Sequence, residues 1–135
     1  MLRTFGRLAL GAALVFAGIG HFVNAEAFLA QVPLWMPAPE AVVAVSGVIE
    51  LILGAALVFA PRRYRAAVGW IVAGFFVVIF PGNISQFVTG TDAFGLDTDT
   101  ARFVRLLFQP VLVLWALWAT SAWSTWRAKT SAAAR

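Results

Sequence analysis

The sequence lacks cysteine, has a single histidine and contains few charged residues. Cysteine is absent from its 135 residues, which excludes disulfides, thiolate metal sites and thiol chemistry on this chain. His21 is the only histidine, so a histidine-based metal site is not expected. Charged residues make up 12% of the chain, about half the usual share of a soluble domain. We therefore expect no metal site and no catalytic thiol.

Apolar residues, in contrast, are abundant. They make up 61% of the chain, and the mean hydropathy is +0.87. A soluble domain of this length could not bury so much apolar surface, whereas a lipid bilayer can receive it. The formal net charge of +4 comes from short basic clusters between apolar runs, without interleaved exposed aromatic residues. We therefore expect the lipid bilayer to surround the protein, and we expect no nucleic-acid partner.

Four apolar stretches predict an all-α integral membrane protein, a four-helix bundle that forms a single transmembrane domain over residues 1–135. The helices are expected at about 4–22, 40–60, 65–86 and 101–124, each long enough to cross ~30 Å of hydrocarbon. A short amphipathic segment is expected in the first outer loop, at about 24–29. The first stretch has a rival interpretation as a signal peptide, because Ala25-Glu26-Ala27 follows it as a small-x-small cleavage pattern.

The charges that flank these stretches predict the orientation of the chain. Basic residues lie before the first stretch, between the second and third, and after the fourth: Arg3, Arg7, Arg62, Arg63, Arg65, Arg127, Lys129 and Arg135. An excess of lysine and arginine marks the cytoplasmic side, so both termini are expected in the cytoplasm. Because alanine is abundant and arginine outnumbers lysine, we expect a high-GC bacterial genome and a multi-pass protein of the bacterial inner membrane.

Polar residues inside the apolar stretches mark the candidate site, because polar groups at membrane depth are costly and usually face the protein interior. Three sets of residues share a helix face by their spacing: Gly11, Leu14, Gly18 and His21; Gly47, Glu50 and Gly54; and Arg102, Arg105 and Gln109. The glycines let helices approach closely, so His21 and Glu50 are expected to point inward. Counted from the basic clusters, His21 stands roughly 21 Å and Glu50 roughly 18 Å into the membrane.

These heights predict one polar cluster drawn from all four helices. A lone carboxylate near the membrane midplane must be protonated, or paired with His21 or Arg105. The candidate ligand-binding residues are His21, Glu50, Asn83, Arg105 and Gln109; no catalytic residue and no metal ligand is assigned. The alternative interpretation of Glu50 is a buried polar tether that fixes helix register. Arg102 is expected as a surface charge beside the acidic second outer loop.

Several motifs, taken in their order along the chain, resemble those of the DoxX-like family of small four-helix bacterial membrane proteins. They are Gly18-Ile19-Gly20-His21-Phe22, Pro37, Ser46-Gly47-Val48-Ile49-Glu50-Leu51-Ile52-Leu53-Gly54, Phe80-Pro81-Gly82-Asn83-Ile84, and Arg102 to Gln109-Pro110. The resemblance implies a relation to the membrane subunit of a thiosulfate:quinone oxidoreductase and to redox-defence complexes. It also implies that the family's polar positions are His21, Glu50, Asn83, Arg105 and Gln109. Without cysteine, direct sulfur chemistry has no residue to carry it.

The first functional hypothesis is a binding module. Its buried polar pocket, formed by Glu50, His21 and Arg105, opens to the extracytoplasmic side and holds a small, quinone-like molecule. No cofactor motif is evident, and a quinone is the possible cofactor that the resemblance implies. An enzyme that uses Glu50 and His21 as an acid–base pair is less favoured, since no nucleophile, metal set or nucleotide-binding loop is visible.

The alternative hypothesis is a non-catalytic membrane scaffold, or an assembly subunit of a redox-defence or quinone-linked oxidoreductase complex. Such a subunit would dock on a membrane or redox protein through Trp35 and the deep Trp115 and Trp118, which are expected to face lipid or a partner chain. A transporter of only four helices would normally require a homodimer.

Overall fold

The computed structural model describes residues 1–134, which are helical apart from the connections. The helices are α1 (Leu2–Val23), α2 (Ala25–Leu29), α3 (Pro39–Phe59), α4 (Arg65–Val78), α5 (Phe80–Thr89), α6 (Asp99–Ala119) and α7 (Ala122–Ala133), and a 3₁₀ turn at Arg62–Tyr64 precedes α4. Four segments are long and apolar enough to cross a membrane: α1, α3, the stretch Arg62–Thr89, and α6. The chain is therefore a multi-pass membrane protein by the length and apolarity of its helices.

Two of the predicted helices are divided in the structure. The helix expected at 65–86 breaks at Ile79 into α4 and α5, because Pro81 has no backbone N–H to continue the helical ladder. The helix expected at 101–124 ends at Ala119. Ser121 then adopts a left-handed conformation with φ 60°, so the chain turns before it begins α7, which the sequence patterns did not separate.

α1 and α3 pack through glycines on the two faces predicted from spacing. A Cβ atom added at Gly54 would lie 2.8 Å from the carbonyl oxygen of Gly11, and one added at Gly18 would lie 2.9 Å from the carbonyl oxygen of Gly47. At these positions the two helix backbones are therefore closer together than a residue larger than glycine would permit. His21 and Glu50 lie on these same faces and are buried, as predicted.

Arginine side chains join three helix ends at one end of the molecule. Arg3 Nη1 donates a hydrogen bond of 3.0 Å to Ser121 Oγ, which connects the start of α1 to the end of α6. Arg7 is buried, and its Nη1 donates to the carbonyl oxygens of Leu57 and Val58 in the last turn of α3. Since helix ends expose unpaired carbonyls, this arginine stabilises the end of α3. We call this the basic end; that it faces the cytoplasm stays a prediction.

The tryptophans of α6 do not all lie where they were predicted. Trp115 was expected to face lipid or a partner chain, and for this residue the prediction is wrong. Its ring is half-buried, and Nε1 donates a hydrogen bond of 3.0 Å to the carbonyl oxygen of Gly6 in α1. The Trp118 ring also lies against Gly6 but is partly exposed. Gly6 therefore allows α6 to approach α1 closely at the basic end.

The hydrophobic core lies among α1, α3, α4 and α6 and includes Leu10, Leu14, Leu57, Val72 and Phe76. Away from this core the helices separate. Within residues 1–134, α5 packs on α6 and α4 and does not pack on α1 or α3. A space therefore remains between α5 and the α1–α3 pair, at the end of the molecule opposite the basic end.

Candidate functional site

A cavity of about 580 Å³ occupies the space between α5 and the α1–α3 pair. This volume is within the ~300–1,000 Å³ that small-molecule sites usually have. Four of the five predicted site residues line it: His21, Glu50, Asn83 and Arg105. The fifth, Gln109, is buried behind the wall, where it contacts two of the others. Helices α1, α3, α5 and α6 thus each contribute one of these four predicted side chains to the wall.

His21 and Glu50 form a close pair on the wall of the cavity. His21 Nε2 lies 3.3 Å from Glu50 Oε2, and both side chains are more than nine-tenths buried, with exposed fractions of 7% and 8%. The direction between these two atoms does not suit a hydrogen bond. Within the described chain, Glu50 Oε2 is buried and has no hydrogen-bond partner. The Glu50 side chain as a whole lines the cavity, so a ligand there can reach the carboxylate group, although Oε2 itself is enclosed by protein.

The other ring nitrogen of His21 fixes its protonation pattern. His21 Nδ1 lies 2.7 Å from the carbonyl oxygen of Val43. Because a carbonyl can only accept, Nδ1 carries the proton of this bond. Nε2 is then the ring nitrogen that faces Glu50.

Arg105, Gln109 and Asn83 form a hydrogen-bonded network on the opposite wall. Gln109 Oε1 accepts from Arg105 Nη1 and from Asn83 Nδ2, each at 3.1 Å. Gln109 Nε2 donates a bond of 2.7 Å to the carbonyl oxygen of Phe76, in the last turn of α4. Gln109 therefore holds Arg105 and Asn83 in place and also satisfies a carbonyl near the break between α4 and α5. Arg105 keeps further N–H donors for an acceptor in the cavity.

Two connections cover the end of the cavity away from the basic end: residues 28–36 and residues 90–98, which we call the roof. Gln31 Nε2 donates a bond of 2.7 Å to Gln86 Oε1, and Gln86 Nε2 donates to the carbonyl oxygens of Thr91 and Ala93. The almost fully buried Gln86 thus ties both connections to α5. Both connections also contribute residues to the cavity wall.

Aromatic side chains close the roof over His21. The Phe28 ring stacks at a tilt on the His21 ring, with centroids 3.8 Å apart, and the Phe94 ring meets Phe28 edge-on at 4.8 Å. These contacts bring one residue from each connection together above the His21–Glu50 pair. Phe28 and Phe94 were not predicted as site residues, since neither belongs to a periodic pattern.

Arg102 holds the second connection of the roof. It lies beside the acidic loop as predicted, but the prediction of a surface charge is wrong, since the side chain is buried. Nη1 donates bonds of 2.8 Å to Asp92 Oδ1 and 2.9 Å to the carbonyl oxygen of Leu96, and Nη2 donates to Asp99 Oδ1 at 3.2 Å. Because both carboxylates are exposed, each ion pair contributes little alone. The bonds to Asp92 and Leu96 tie the loop to α6, whereas the bond to Asp99 lies within α6.

Comparison with known proteins gives one match. The model of a family described as a domain of unknown function (DUF8561) matches residues 10–120, a range that includes every candidate site residue. No curated protein and no solved structure matches the chain. The resemblance to DoxX-like proteins therefore stays a prediction.

Proposed function

We propose that this chain, which belongs to the DUF8561 family, is a membrane-embedded binding protein for a small molecule with a polar, quinone-like head. The polar pocket formed by Glu50, His21 and Arg105 would hold that head in the membrane half away from the basic end. If the predicted orientation is correct, this is the extracytoplasmic half. The chain would act by holding its ligand and would need no catalytic step of its own.

The unpaired carboxylate oxygen of Glu50 is the observation that carries this proposal. Its side chain is 8% exposed, lines the cavity, and has Oε2 without a hydrogen-bond partner among residues 1–134. A tether that fixed helix register would be expected to use its hydrogen-bonding capacity on the protein. A ligand hydroxyl that donates to the Glu50 carboxylate would supply a hydrogen bond that the protein does not.

The two polar walls then define the head that fits. Glu50 would accept a hydrogen bond from the ligand, while Arg105 and Asn83 would donate to an oxygen on its other side. A ring that carries a hydroxyl on one edge and a carbonyl or a second hydroxyl on the other has this arrangement, as quinones and hydroquinones do. The Phe28 ring, which stacks on His21, offers an aromatic surface beside it.

The first experiment compares ligand retention by the wild type and by Glu50→Gln. Both proteins are purified in mild detergent and studied by native mass spectrometry with extraction of small molecules. Glutamine keeps the shape of the side chain but loses the charged acceptor, so retention is expected to fall about 10–100-fold, while the fold persists.

The matched control is Glu40→Gln, which makes the same charge change in the first turn of the same helix, at an exposed position outside the cavity. This control is expected to retain the ligand as the wild type does. Equal retention by the wild type and Glu50→Gln, or wild-type preparations without any small molecule, would contradict the proposal and favour a structural role for Glu50.

A second function, that of an assembly subunit in a quinone-linked or redox-defence complex, is favoured by the roof's outer surface. Leu34 and Trp35 are 94% and 73% exposed at adjacent positions. A protein partner or a second copy of the chain would cover them. We expect Trp35→Ser to weaken copurification of such a partner in mild detergent, with Trp126→Ser, at a 48% exposed tryptophan on α7, as the control. A wild-type protein that always runs alone would exclude this function.

A further inference from the structure

We infer that the cavity opens sideways into the bilayer, and that its ligand is an amphiphile whose apolar tail leaves the protein between α1 and the α4–α5 break. This inference rests on the proposed function, since it names the class of ligand that the same site would take and the route of its entry. Three observations support it: the exposure of the side wall, the gap beside α5, and the tied roof.

The side wall of the cavity contains apolar residues that are also exposed on the surface of the protein. Phe16 in α1 and Val78 in α4 both line the cavity, and they are 81% and 75% exposed. Counted at ~1.5 Å per residue from Arg7 and Arg65, they lie roughly 14 Å and roughly 20 Å from the basic end. Both heights are inside the ~30 Å of hydrocarbon. The cavity therefore meets the lipid-facing surface at membrane depth.

The helix arrangement explains this side opening. The helix is interrupted at Ile79, between α4 and α5, and Pro81, in the first turn of α5, is also exposed and lines the cavity. Within the described part of the chain, α5 does not pack on α1 or α3. A slot without a helix–helix contact therefore runs along the membrane-facing side of the cavity.

The roof, in contrast, is held in place by hydrogen bonds and aromatic contacts. Gln86 binds both connections, Arg102 holds the second connection through hydrogen bonds to Asp92 and Leu96, and the Phe28 and Phe94 rings meet near His21. Phe94, the most exposed lining residue of the roof, is 47% exposed, against 81% for Phe16 and 75% for Val78 in the side wall. The least obstructed path thus leads from the hydrocarbon to the polar walls.

A ligand that uses this path must suit both ends of it. The polar head needs a hydrogen-bond donor for Glu50 and an acceptor for Arg105, while the part that remains in the slot lies against Phe16 and Val78 and must be apolar. The class is therefore a membrane-soluble amphiphile with a compact polar head and a hydrocarbon tail. Water-soluble metabolites of the same volume do not meet the second requirement.

The route can be tested without the natural ligand, because the chain contains no cysteine and a single introduced thiol is the only one present. Ser46 lines the cavity, and Ser46→Cys is close to isosteric. In lipid nanodiscs, the variant is exposed in turn to a decyl-tailed maleimide, which partitions into the bilayer, and to a cationic, membrane-impermeant methanethiosulfonate. We expect the tailed reagent to label the thiol and the cationic reagent to label it at least about tenfold more slowly.

The slot is then narrowed in the Ser46→Cys background. Val78→Trp is expected to slow labelling by the tailed reagent about tenfold or more, because the indole fills the side opening. The matched control is Val77→Trp: Val77 is 59% exposed on the same helix but does not line the cavity, and its labelling rate is expected to stay within about twofold of the parent. Thermal unfolding of all variants checks that the fold is kept.

The outcomes separate this inference from the proposed function. Fast labelling by the cationic reagent, or equal rates in the Val78→Trp and Val77→Trp variants, would overturn the sideways route even if Glu50→Gln loses its ligand. The labelling results could also be as expected while wild type and Glu50→Gln retain ligand equally. In that case the side opening stands as a property of the cavity. The assignment of an amphiphile as the ligand is then overturned together with the proposed function.

Discussion

Replacing Gly54 with alanine is expected to lower the free energy of unfolding by about 1–3 kcal/mol, and replacing it with leucine by more. A Cβ atom at this position would lie 2.7 Å from Val15 Cγ2 and 2.8 Å from the carbonyl oxygen of Gly11. The second neighbour is backbone and cannot turn aside, so α1 and α3 must move apart. Reversible unfolding in mixed micelles measures this effect.

The matched control for this prediction is Gly74→Ala in α4. An added Cβ atom there meets nothing within 4 Å, and alanine favours a helix over glycine by about 1 kcal/mol. We therefore expect Gly74→Ala to leave stability unchanged or slightly raised. If Gly54→Ala were as stable as Gly74→Ala, the close approach of α1 and α3 would be wrong, and the geometry of the His21–Glu50 pair would be in question with it.

The same close approach explains why the sequence predicted this pair. Helical periodicity places Gly47, Glu50 and Gly54 on one face, and glycines allow a facing helix to come near. Counting residues from the basic clusters then placed His21 and Glu50 at similar heights. In the structure, their nearest side-chain atoms are 3.3 Å apart. Both predictions, of the shared face and of the shared height, used only the periodicity and the rise of the α-helix. They therefore needed no knowledge of the ligand.

The site residues that were not predicted from the sequence lie mostly outside the long helices, where helical periodicity no longer applies. Phe28, Gln31 and Phe94 belong to the roof, whose path depends on long-range contacts that no periodic pattern records. Gln86 could have been found, since it lies three residues after Asn83 on the same helix face and is equally buried. The third span was predicted as one helix at 65–86, whereas α4 ends at Val78.

The distribution of polar groups bears on the two interpretations of Glu50. On the α6 side, Gln109 uses its side-chain oxygen twice and its nitrogen once on protein groups, as a structural residue does. Across the cavity, Glu50 leaves Oε2 without a partner in the described chain. Gln109 is thus satisfied by the protein, whereas Glu50, like the remaining N–H groups of Arg105, has hydrogen-bonding capacity to spare. This asymmetry favours Gln109 as the structural element and Glu50 as the residue that meets a ligand.

Replacing Gln109 with methionine is accordingly expected to destabilise the protein by about 2–4 kcal/mol. The residue is almost fully buried, and methionine fills a similar volume but offers no acceptor to Asn83 and Arg105 and no donor to the carbonyl oxygen of Phe76. Arg105 would also lose the contact that positions it, so we expect weaker ligand retention as a second effect. Reversible unfolding and native mass spectrometry measure the two effects separately.

A double-mutant cycle separates the lost network from lost packing. Asn83→Leu removes one of the groups that Gln109→Met leaves unpaired, so the double variant is expected to be more stable than the sum of the two single changes predicts, by about 1–2 kcal/mol. If the two losses of stability simply add, Asn83 and Gln109 contribute independently. The hydrogen bond between them would then contribute nothing to stability. The alternative outcome is that the two changes are coupled, and that Gln109→Met loses the ligand while Gly74→Ala keeps it. Helix α6 would then be the structural support on which the polar wall depends.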